Sequence, residues 1–192
     1  RFNPSTTYIG VDNQEGMNLA VSHLKKLGHH KIGYLSGALG SYVTQSRLSA
    51  FFQALRQNQL PDDPKQAANS YFFSECTEKH LPKLLEYGVT AIICSHDLLA
   101  HNIMVHCQQC GLSVPQDISI IGFDDLPLCE HTCPPMTTIR QDLSQLGKSA
   151  YHALCNLMAG IHISTLLLHA ELKIRQSSGP VPDIPPIQKV PR

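Results

Sequence analysis

Ile120–Pro127 reads IIGFDDLP, an apolar run that turns abruptly into two adjacent carboxylates. The run begins at Ile118 and fits a strand covered on both faces, as in a parallel sheet flanked by helices. Asp124 and Asp125 then fall at its carboxyl end. Outward from that point the same grammar recurs. Tyr8–Val11 (YIGV) predicts a strand. A helical period follows in Met17, Ala20, Val21, Leu24 and Leu27, opened by Asp12 or Asn13 and stopped at Gly28.

Lys31–Gly37 (KIGYLSG) predicts the next strand, and residues 44–58 a helix with Leu48, Phe51, Phe52 and Leu55 inward. Asn69–Phe73 (NSYFF) predicts a strand, and 75–87 a helix that Pro82 bends. Thr90–Ser95 is a strand, and 97–110 a helix with Asp97 as its N-cap. After Ile118–Phe123 come a strand at Met136–Ile139, a long helix over 141–158 ended at Gly160, and a strand pair or bent strand over 166–175. The Pro-rich tail 180–192 is expected to stay unpacked.

Such β–α alternation, with connections too long for hairpins, predicts an α/β fold: a doubly wound parallel sheet with flanking helices. Ligands bind these sheets beyond the carboxyl ends of the strands. Three predicted strand ends bring polar groups to that edge, Ser36–Gly37, Ser95–His96–Asp97 and Asp124–Asp125. The pattern describes a cleft.

Composition narrows what the cleft serves. Fifteen Lys+Arg balance fifteen Asp+Glu in 192 residues, so no basic face for nucleic acid stands out. No apolar run reaches the ~18 residues of a membrane span, and residues 1–16 lack the pattern of a signal peptide. Seven scattered cysteines suit reduced thiols in a cytoplasm. No GxSxG or GxGxxG appears, so no enzyme and no catalytic residue is expected. Cys107-Gln-Gln-Cys110, with His101 and His106 nearby, invites a metal or redox reading, but thioredoxin-like motifs place such a pair at a helix start and this one falls at a helix end. Its one companion pair, Cys129 and Cys133, is spaced i,i+4 in a loop, and buried or half-buried thiols are the plainer reading, so neither metal nor cofactor is expected.

Five segments in unbroken order then carry a resemblance: 11–37 (VDNQEGMNLAVSHLKKLGHHKIGYLSG), 46–55 (SRLSAFFQAL), 89–100 (VTAIICSHDLLA), 112–125 (LSVPQDISIIGFDD) and 134–154 (PPMTTIRQDLSQLGKSAYHAL). Together they resemble the effector-binding core of the lactose-repressor/galactose-repressor (LacI/GalR) family of transcription regulators, and 171–179 (ELKIRQSSG) resembles its closing segment. The resemblance implies two periplasmic-binding-protein-like subdomains with a small-molecule effector, a sugar or related metabolite, between them. It also implies a homodimer that meets operator DNA through a helix-turn-helix domain ahead of the core. On this pattern residues 1–11 end a largely missing N-terminal subdomain and 12–140 form the C-terminal effector-binding subdomain. Residues 141–164 cross back to the first, 165–179 return, and 180–192 are tail.

The resemblance assigns effector contacts to Asp124, a carboxylate able to accept from two sugar hydroxyls, and to Arg47, whose guanidinium offers five fixed donors. His96 stands where several members carry a ligand-binding asparagine. Ser41 and Tyr42 lie on the loop after the Lys31–Leu35 strand, and Gln141 sits at the crossover. Asp125 reads as the loop's structural partner. The dimer surface would be Leu98, Leu99 and Ile103, with Leu126 and Leu128. A transport-type sugar receptor of the same fold and a stand-alone dimerisation module are the rival readings.

Overall fold

A computed structural model describes residues 8–37, 40–161, 163–184 and 186. Six strands form the main sheet, in the order β3-β2-β4-β5-β6-β8: β2 (Ile32–Ser36), β3 (Ala67–Asn69), β4 (Ala91–Cys94), β5 (Ser119–Asp124), β6 (Thr137–Arg140) and β8 (Glu171–Lys173). All neighbours are parallel except β8, which closes the sheet antiparallel to β6. A separate parallel pair joins β1 (Ile9–Val11) to β7 (Leu166–Leu168). The 166–175 segment is therefore two strands in two different sheets.

Helices α1 (Asn13–Lys26) and α2 (Tyr42–Gln57) cover one face, burying Met17, Val21, Leu24, Phe51 and Leu55 against Ile32, Tyr34, Ile93 and Phe123. The other face is covered by the segment 73–87 and by α5 (Asp97–Gln109), over Leu35, Ile92, Cys94 and Ile120. Burial of such side chains at roughly 25 cal/mol per Å² is what holds the layers together. β4 is apolar throughout, and β5 is apolar over Ile120–Phe123, because both their faces are covered.

Local chemistry sets the ends. Asp12 accepts from the Gln14 and Glu15 amides and caps α1, which leaves Asn13 free for another task. Gly28 takes φ +91° after α1, the left-handed conformation that costs glycine least.

The third strand differs from expectation. Asp63 and Gln66 form a capping box around the 3-10 turn Pro64–Gln66, and the strand starts straight after it at Ala67. Tyr71, Phe72 and Phe73 lie beyond its end, with Tyr71 80% and Phe72 66% exposed. Their strand propensity lost to the turn that fixed the register. The helix after them runs α3 (Phe73–Glu75), a π-helical turn (Cys76–His80), then α4 (Leu81–Tyr87), with the irregular turn just before Pro82.

Helix α6 (Leu143–Met158) lies off the main sheet, beside β1. Of its apolar stripe, Leu143, Ala150, Leu154 and Leu157 are exposed and Leu146 is half-buried; Ala153 is its one buried residue. The tail also departs from expectation. The Val181 amide donates to Leu27 O at 2.9 Å and Pro186 is buried, while residues 185 and 187–192 lie outside the described residues.

Candidate functional site

The carboxyl ends of β4 and β5 meet at one guanidinium. Arg47 enters from the first turns of α2, whose N-cap is Ser41. It is buried, with only 6% of the residue exposed. Its Nε donates to Asn13 Oδ1 at 3.0 Å, Nη1 to the Ser95 carbonyl, and Nη2 to Asp124 Oδ1 at 3.3 Å. Its plane lies over the Phe123 ring, 3.6 Å from the centroid. A buried cation needs such full pairing. Burial pulls the Arg47 pKa down, and Asp124 opposes that.

Asp124 ends β5 with φ +121° and Asp125 follows at +59°, conformations that non-glycine residues adopt at a cost of order 1–3 kcal/mol each. The strain turns the two carboxylates apart. Asp124 Oδ1 accepts from Arg47 and from Gln141 Nε2, and its side chain keeps 24% of its surface open. Asp125 faces the other way and pairs with Arg175 Nη2 at 2.8 Å, while Arg175 Nη1 donates to Met136 O. One carboxylate thus faces the cleft edge, and the other ties the returning chain to the loop after β5.

His96, rather than Asp97, is the N-cap of α5: its Nδ1 accepts from the Leu99 amide at 3.0 Å. Its ring is 5.5 Å from that of Phe73. Burial lowers its pKa, with Asp124 opposing and Arg47 adding to the fall. An imidazole held neutral accepts the cap bond and keeps Nε2–H as a donor. Asp97 is fully buried instead. It accepts from Thr138 Oγ1 at 2.6 Å and from the Leu126 amide at 2.8 Å. Burial raises its pKa, and these bonds oppose the rise.

Ser41 and Tyr42 are not loop residues. Ser41 caps α2 by accepting from Thr44 N at 3.1 Å, and Tyr42 is the first helical residue, half exposed and edge-on to Tyr8. Two contributors were missed in the sequence. Asn13 orients Arg47 from 34 positions away, and the Tyr71–Phe73 run ends in a ring, that of Phe73, beside His96. No local signal marks Asn13, whereas a polar-flanked aromatic run after a strand was visible and was misread as strand. A cavity of about 620 Å³ lies elsewhere, along the outer edge of β3 by Lys65, His80, Lys83 and Tyr87.

The surface expected on α5 needs correction. Leu99 and Ile103 are completely buried in the chain's own core, as are Ala100 and Met104, because β4 and β5 need that whole face covered. Leu98 and Val105 are the exposed apolar residues of the helix, and Leu126 and Leu128 are half-buried. Among the described residues no group of three or more His, Cys, Asp or Glu converges as metal ligands. No described helix is long and apolar enough to cross a membrane.

A doubly wound sheet, with a charged cluster at its carboxyl edge and a helix leaving for a second small sheet, has the layout of a periplasmic-binding-protein-like ligand-binding fold. Comparison with known proteins agrees. A family model described as "Periplasmic binding protein-like domain" matches residues 21–178, and the chain belongs to that family. It is 34% identical over 178 residues to the HTH-type transcriptional repressor PurR of Aliivibrio salmonicida, covering 91% of this chain and 54% of the relative. It is also 34% identical to the repressor CytR of Escherichia coli K12, covering 52% of that protein. The chain thus spans about half the length of the curated relatives it matches.

Among solved structures it superposes on a Lac repressor dimer bound to operator and an anti-inducer, with TM-score 0.79, 30% identity, and 89% of this chain and 60% of that chain covered. A LacI-family regulatory protein from Chloroflexus aggregans gives 0.82, 28% identity, and 93% and 66% coverage. Sequence and fold are those of a LacI/GalR-type effector-binding core.

Proposed function

We propose that this chain is the sensing half of a cytoplasmic, DNA-binding transcriptional regulator. It takes a small polar metabolite, a sugar or related molecule, at the carboxyl edge of its main sheet. The observation that carries the reading is the convergence on Asp124 Oδ1 of Arg47 from α2 and Gln141 from the segment leaving the sheet. A ligand hydroxyl bound there contacts the sheet and the crossover together, so binding is coupled to the angle between two lobes. The ligand shifts a two-state equilibrium by its differential affinity for the two arrangements, with no covalent chemistry. His96 Nε2 and the ring of Phe73 complete the shelf on its β3 side. The protein acts as a homodimer through the exposed edge of α5, Leu98 and Val105, flanked by Leu126 and Leu128. It reaches operator DNA through a separate helix-turn-helix domain.

The test is isothermal titration of the full-length gene product with a panel of sugars, sugar phosphates and nucleosides, alongside operator-DNA binding. One ligand class should bind and change DNA affinity. Asp124→Asn should weaken that binding roughly tenfold or more, the worth of a lost charge-assisted hydrogen bond. Unchanged affinity in that variant would remove Asp124 from the site and the reading with it.

A further inference from the structure

Helix α5 ends in Cys107-Gln108-Gln109-Cys110, a pair the candidate site does not use. Cys107 is the last fully buried residue of the helix, and Cys110 is its half-buried C-cap. The Cys110 amide donates to His106 O at 3.0 Å and to Cys107 O at 3.1 Å, so the last turn is tightly wound. Residues three apart on a helix have Cβ atoms about 5–6 Å apart, and a disulfide needs about 3.5–4.5 Å, so the last turn has to tighten by about 1–2 Å for the bond to close. The sulfurs also sense each other: beyond burial, charge on Cys110 contributes to pushing the Cys107 thiol up to about 12. Cys110 Sγ lies 3.5 Å from His106 Nε2, one turn back on the same helix.

The remaining cysteines lack this combination. Cys76, Cys94 and Cys129 are buried, and Cys133 and Cys155 are exposed with no described imidazole against the sulfur. We propose that Cys107 and Cys110 form a hydroperoxide-reactive dithiol, with Cys110 attacking, His106 taking its proton and Cys107 resolving. In the first step the Cys110 sulfur bonds to one peroxide oxygen and the O–O bond breaks. The leaving oxygen takes the proton from His106 and departs as water or alcohol. Cys110 is oxidised by two electrons to the sulfenic acid, and the peroxide is reduced by two. In the second step the Cys107 sulfur attacks that of Cys110, the S–O bond breaks, and hydroxide leaves with the Cys107 proton as water. A helix C-terminus disfavours an anion, and His106, in contact with the sulfur, is the base that takes its proton as the bond to oxygen forms.

The experiment treats the reduced full chain with hydrogen peroxide, blocks free thiols, and maps the peptides by mass spectrometry over time. The Cys107–Cys110 peptide should lose two hydrogens before any other cysteine changes, and dithiothreitol should restore it. Cys110→Ser should abolish the reaction. Cys107→Ser should leave a Cys110 sulfenic acid that dimedone traps. His106→Asn should slow the first step roughly tenfold or more, the loss of a proton acceptor in contact with the attacking sulfur, without changing the product. Oxidation of Cys133 or Cys155 while the pair stays reduced overturns the proposal. So does wild-type Cys110 advancing to sulfinic acid without a disulfide, or an unchanged rate in His106→Asn.

Discussion

Gly122→Ala puts the scaffold beneath the site to its sharpest test. Gly122 lies in the middle of β5, two residues before Asp124. A Cβ built there overlaps Asp97 Oδ1 and comes within 2.8 Å of Met136 Sδ. Neither neighbour has room to retreat, since Asp97 and Met136 are both completely buried. Moving Asp97 sacrifices its bonds from Thr138 Oγ1 and the Leu126 amide. Each hydrogen bond to a charged group is worth about 1.5–3 kcal/mol, and crowding Met136 adds about 1–3 kcal/mol. Alanine in place of glycine returns only about 0.5–1 kcal/mol of backbone entropy. The net loss is therefore about 3 kcal/mol or more, against a typical domain stability of about 5–15 kcal/mol.

Urea unfolding of the purified chain measures that loss, and a cycle with Asp97→Ala isolates its cause. Once the carboxylate is gone, Gly122→Ala should cost only the crowding against Met136, about 1–3 kcal/mol. The reasoning fails if Gly122→Ala costs under about 1 kcal/mol in the wild type, or the same amount in both backgrounds.

Three further outcomes follow from the same contacts. Arg47→Lys keeps a charge but cannot serve Asn13, the Ser95 carbonyl and Asp124 together. It should lower stability by about 2 kcal/mol or more in urea melts, and a melt matching the wild type would refute the pairing. His29 is buried neutral between Thr90 Oγ1 and Gly179 O, and burial lowers its pKa below 6.5, as it does for His23 and His96. The unfolded chain then binds more protons as pH falls through 6.5, so urea midpoints should hold above that pH and drop below it; a flat profile between about pH 7.5 and 5.5 would contradict this. Leu154→Ser on the exposed stripe of α6 should change this chain's stability by under about 0.5 kcal/mol, and a cost near that of a core truncation would mean the stripe is already packed.

Much of the site could be read in the sequence because strand ends are local events. The jump from Phe123 to Asp124 marks a strand terminus whatever lies around it, and the fold class follows from alternating periods. Asn13 could not be found that way, because its role depends on α1 and α2 meeting, 34 residues apart in sequence. The misplacement of β3 has a nearer cause: aromatic β-propensity at Tyr71–Phe73 competed with the Asp63–Gln66 capping box, and the hydrogen-bonded turn won. The same limit produced the error on α5. A helix with five apolar residues in seven positions looks like a helix with a spare face, until both β4 and β5 are seen to require that face.

The order of elements, the parallel α/β class and the identity of the residues at the carboxyl edge are all legible in the chain, since they rest on periodicity and on residues that end strands. How those residues divide their work is set by folding. The left-handed backbone at Asp124 and Asp125 sends one carboxylate to Arg47 and Gln141 and the other to Arg175. His96 took the cap that Asp97 was expected to supply because Gly122 and Thr138 drew the Asp97 carboxylate into the core. Which of two adjacent, chemically similar groups faces a ligand depends on partners brought in from distant segments, and those partners exist only once the sheet is built.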